Sequence, residues 1–145
     1  MFVELRRDLV DVAYSLLRGR RENYGDENRV YGQIREPDDL ARYQTLPVYE
    51  SVANQIADLL DLYDRQRSDL DPRAHITVSY NELCENPMSV VTKIAHQVEE
   101  VFDTRIPIRQ ELPQGSVKTS RHRSGDPDVA ALTEALKKLA LAPRE

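Results

Sequence analysis

The sequence predicts an α/β domain in which a parallel pair of strands is packed with helices. Residues 2–6 and 75–80 read as strands, the first by alternating apolar and polar residues and the second by its β-branched content. Helical stripes lie between and after them, and strands separated by helices pair in parallel. Only two strands can be found, whereas parallel sheets are ordinarily wider and covered on both faces. The chain therefore reads as the back half of a larger α/β domain.

Taken in order, Phe2-Val3-Glu4-Leu5-Arg6 forms the first strand. Asp8 then precedes a stripe of Leu9, Val12, Ala13, Leu16 and Leu17. Asp8 can cap that helix, and Asp11 suits its first turn. The helix is expected to fade between Gly19 and Gly25. Residues 22–47 are polar and punctuated by Gly25, Gly32, Pro37 and Pro47. They read as a long loop with short helical turns, and loops of this length are usually functional or mobile. Val52, Ile56, Leu59, Leu60 and Tyr63 form one apolar stripe and predict a helix over 48–67. Asp71-Pro72 stops it ahead of the second strand. Asn86-Pro87, an N-cap residue followed by Pro at the first helical position, opens a helix carrying Val90, Val91, Ile94, Val98 and Val101. A polar loop covers 103–125, and Asp126-Pro127 repeats the signal before a last helix with Val129, Leu132, Leu136 and Leu139.

The chain has 145 residues, a length expected for a single domain spanning 1–145. It is 40% hydrophobic and 31% charged, too apolar and too balanced in sign for a disordered tail. A net charge of −5 argues against a general nucleic-acid binder, which normally presents a basic face. No apolar run approaches the roughly 20 residues that span a bilayer, and the N-terminus lacks a signal-peptide layout. Cys84 is the single cysteine, so neither an internal disulfide nor a cysteine metal site is available. These points predict a cytoplasmic protein with no membrane or nucleic-acid partner.

Chemistry concentrates first at Arg7 and Ser15. Arg7 stands where the first strand ends, and ligands of open parallel sheets bind beyond the carboxyl ends of strands. An Arg beside a helix N-terminus makes an anion pocket, to which Ser15, about two turns along the helix, can add a hydroxyl. The same residues are also compatible with a surface pair between Arg7 and Asp11 and an ordinary helical Ser15.

The string Phe-Val-Glu-Leu-Arg-Arg-Asp-Leu-Val-Asp-Val-Ala-Tyr-Ser-Leu-Leu resembles the 3′-phosphate-binding segment of sulfotransferases that use 3′-phosphoadenosine-5′-phosphosulfate (PAPS). In that family a strand ends in Arg-Asp-Pro, and Val-Ala-x-Ser follows on the helix. The resemblance assigns Arg7 and Ser15 to the 3′-phosphate, with Leu9 standing where the family usually has Pro. Val78 to Pro87 is similar to the family's Tyr-Glu-Asp-Leu…Asp-Pro stretch, with Asn81 and Glu82 in place of Glu-Asp, and it puts Tyr80 near the adenine. Val117 to Gly125 is the densest basic and hydroxyl cluster in the chain. It falls where the family has a late loop over the nucleotide, making Ser120, Arg121 and Arg123 phosphate contacts. Their alternative is a solvated charge run. The resemblance covers about residues 2–140 and implies a partial P-loop-type sheet, sulfotransferase-like, with PAPS as co-substrate and no metal.

The family's Gly-rich phosphosulfate loop has no counterpart here. Gly19, Gly25, Gly32, Gly115 and Gly125 do not occur in a strand-loop-helix context with the required spacing. The family's base and loop Lys, normally upstream of the Arg-Asp segment, cannot be assigned, so no catalytic residue is. His75, His96 and His122 have no partner at a spacing that suggests a catalytic pair or metal site and read as structural or surface residues. The resemblance thus implies the C-terminal part of a sulfotransferase, inactive alone, with a complementing N-terminal half or a second copy as partner. The acceptor, a hydroxyl or amine, is not legible. Two further readings stand: a fragment of a P-loop nucleotide kinase, and a non-catalytic module whose Val52–Tyr63 and Val129–Leu139 stripes bury against another chain. No Gly-x-Ser-x-Gly is present to support a serine hydrolase.

Overall fold

The computed structural model describes residues 1–30, 36–108 and 125–141. In order these form β1 (Phe2–Arg6), α1 (Leu9–Tyr24), α2 (Pro37–Thr45), α3 (Val48–Ser68), a 3₁₀ turn (Pro72–Ala74), β2 (His75–Ser79), α4 (Tyr80–Glu85), α5 (Pro87–Phe102) and α6 (Pro127–Lys138). The protein is α/β, mostly helical, with one small sheet. β1 and β2 pair in parallel, with Phe2 opposite His75 and Arg6 opposite Ser79. The described residues fall into two compact units, one holding β1, β2, α4 and α5, the other α1, α2, α3 and α6.

The sheet unit takes its order from the register. Side chains alternate along a strand, so Val3, Leu5, Ile76 and Val78 share one face, while Glu4, Arg6, His75 and Thr77 share the other. Val78 is buried, as are Cys84 on α4 and Val90 and Ala95 on α5, whereas Val3 and Leu5 are 48% and 49% exposed. Asn86 ends α4 and caps α5, its side-chain oxygen accepting from the Ser89 N–H at 3.2 Å. The expected strand is one residue shorter than the sequence suggested. Tyr80 opens α4 instead, because Ser79 already sits in the extended N-cap conformation.

The helical unit is built around one apolar core. Leu9, Ala13 and Leu17 of α1 meet Val52, Ala53 and Ile56 of α3 and Leu132, Ala135 and Leu136 of α6. The stripes that a partner-binding module would offer to another chain are thus largely occupied within the unit itself. Asp8 caps α1 by accepting from the Val10 and Asp11 N–H groups at 2.8 and 3.2 Å. Gly25 ends it at φ 65°, the left-handed conformation that glycine adopts at least cost. The expected loop at 22–47 needs correcting, because residues 37–45 form a nine-residue helix. Its start signal is Pro37 at the first position with Asp38 and Asp39 in the first turn. Tyr43 is its one buried residue, too thin a stripe to register as a period. Among the described residues, no helix is long and apolar enough to cross a membrane.

Candidate functional site

Parallel strands finish at the same edge of a sheet, and the residues just past β1 and β2 are Arg7 and Tyr80. The Arg7 guanidinium carbon lies 4.7 Å from the centre of the Tyr80 ring, a cation–π distance. Both residues are half-buried, so a charge contact made here is less screened than one in open water. The guanidinium N–H groups lie in its plane, perpendicular to the stacking direction. A guanidinium over a ring face can still turn its in-plane N–H groups toward a phosphate or carboxylate.

Arg6, one residue earlier, is committed elsewhere. Its Nε donates to Glu4 Oε1 at 2.8 Å on the polar face of the sheet. Glu4 also accepts from Thr77 Oγ1 at 3.0 Å and lies 3.3 Å from His75 Nε2. The Glu4 and His75 side chains are 11% and 9% exposed. Sequence spacing gave His75 no partner, because its partner is 71 positions away and is brought close only by the strand register. His96 is largely exposed and 3.8 Å from Glu99, and His122 lies outside the described residues.

Of the other expected phosphate contacts, Ser15 is an exposed residue of α1 in the helical unit. Ser120, Arg121 and Arg123 lie outside the described residues. The structure therefore brings together Arg7 and Tyr80.

The helical unit carries polar groups that the sequence did not single out. Arg20 is fully buried and donates to the Glu27 carbonyl, Ser51 Oγ and Gln55 Oε1 at 3.2, 3.1 and 3.2 Å. All three acceptors are neutral, and desolvation pulls the Arg20 pKa down. Beside the start of α6, Tyr14 donates to Asp126 and Tyr49 to Asp128, each at 2.8 Å. Arg21 forks Asp128 at 2.5 and 3.2 Å and holds its carboxyl below the usual range. Desolvation and the hydrogen bond to Asp58 push the Tyr43 hydroxyl well above the ordinary tyrosine value. These contacts fasten helices together. Among the described residues, no group of three or more His, Cys, Asp and Glu is arranged to hold a metal ion.

Compared with protein-family models, curated protein sequences and solved structures, the chain matches none of them.

Proposed function

We propose that the chain binds the 3′-phosphate and adenine of an adenosine nucleotide, as the corresponding part of a PAPS-dependent sulfotransferase. The observation that carries this reading is the contact between Arg7 and Tyr80 at the carboxyl edge of two parallel strands. The sequence resemblance assigned those two residues, far apart in the chain, to one nucleotide. Arg7 forks the 3′-phosphate while its face rests on Tyr80, and Tyr80 borders the adenine. The resemblance assigns Ser15, Ser120, Arg121 and Arg123 to phosphate contacts as well.

In the reaction this implies, an acceptor hydroxyl or amine attacks sulfur in line and the nucleotide leaves as adenosine 3′,5′-bisphosphate. Charge stabilisation on the leaving phosphate and removal of the acceptor proton carry such catalysis. Neither a Gly-rich phosphate loop nor a base is assigned in this chain. It is therefore expected to bind the nucleotide without transferring the sulfuryl group, and measurable transfer by the purified chain would contradict this.

Calorimetric titration with adenosine 3′,5′-bisphosphate, adenosine 5′-monophosphate and ATP tests the binding. The bisphosphate should bind at least tenfold more tightly than the other two, since a charge-assisted fork onto the extra phosphate is worth about 1.5–3 kcal/mol. Equal affinity for the bisphosphate and the monophosphate would remove the 3′-phosphate site. Preference for ATP would favour a nucleotide kinase.

A further inference from the structure

No further inference is drawn: the strongest candidate, the fully buried Arg20 guanidinium between α1 and α3, carries nothing because its bonds to the Glu27 carbonyl, Ser51 Oγ and Gln55 Oε1 belong to the helix packing already described and nothing in the structure shows what ligand would reach it.

Discussion

Leu132 on α6 is fully buried and Leu5 on β1 is 49% exposed, although each lies on an apolar face of a regular element. The difference comes from what each unit can supply to its own elements. In the helical unit, α1, α3 and α6 present stripes of similar width, and each covers the others. In the sheet unit, two five-residue strands expose more apolar face than α4 and α5 cover, and β2 takes most of that cover through Val78. The helical unit spends its charged groups on fastening helices. The sheet unit places an arginine against an aromatic ring at the edge where its strands end. Apolar closure is thus fuller in the helical unit, while the Arg7–Tyr80 contact belongs to the sheet unit.

The largest expected effect breaks the helical side of this comparison. Leu132→Ala should destabilise the protein by about 2–5 kcal/mol, the range for truncating a buried leucine. Leu5→Ala should cost less than about 1 kcal/mol, because the side chain is already half in water. Urea unfolding of the two variants measures both. Comparable losses would show that β1 is as covered as α6.

Arg20→Ala comes next, at about 1–3 kcal/mol, since it leaves Ser51 and Gln55 buried without their donor. Arg20→Met should lose less than Arg20→Ala in the same unfolding measurement. It fills the space and removes a buried charge whose acceptors among the described residues are all neutral.

A smaller effect depends on pH. Arg21 and Tyr49 hold Asp128 ionised, so its carboxyl titrates lower in the folded than in the unfolded chain. Its contribution is present above the unfolded aspartate value and is lost as pH falls through the lower, folded one. Thermal unfolding from pH 7 to pH 3 should show a shallower acid decline for Asp128→Asn than for the parent. Parallel declines would show that the fork onto Asp128 contributes nothing to folding.

Much of this division was legible in the sequence where the signal was local. Asp8, Asn86-Pro87 and Asp126-Pro127 marked helix starts by cap chemistry, and both strands were found by alternation and β-branching. The helix at 37–45 was missed because one buried residue, Tyr43, makes no period. The helix at 80–85 was missed because it follows a strand with no intervening turn. Tyr80 and Arg7 could be named one at a time, but their contact depends on a register between strands about 70 residues apart. The same holds for Glu4 with His75 and for Arg20 with Ser51 and Gln55, where the partners are distant in sequence and no spacing rule connects them.

The proposed site requires that Arg7, just past β1, grips a phosphate and that Arg6, the last residue of β1, does not. Titration of adenosine 3′,5′-bisphosphate into Arg7→Ala, Arg7→Lys and Arg6→Ala tests it most directly. Arg7→Ala should weaken binding roughly ten- to a hundredfold. Arg7→Lys should recover only part of that loss, because an ammonium cannot form the fork. Arg6→Ala should leave affinity within about twofold, since its charge is spent on Glu4. Equal losses in Arg6→Ala and Arg7→Ala, or none in either, would contradict the account.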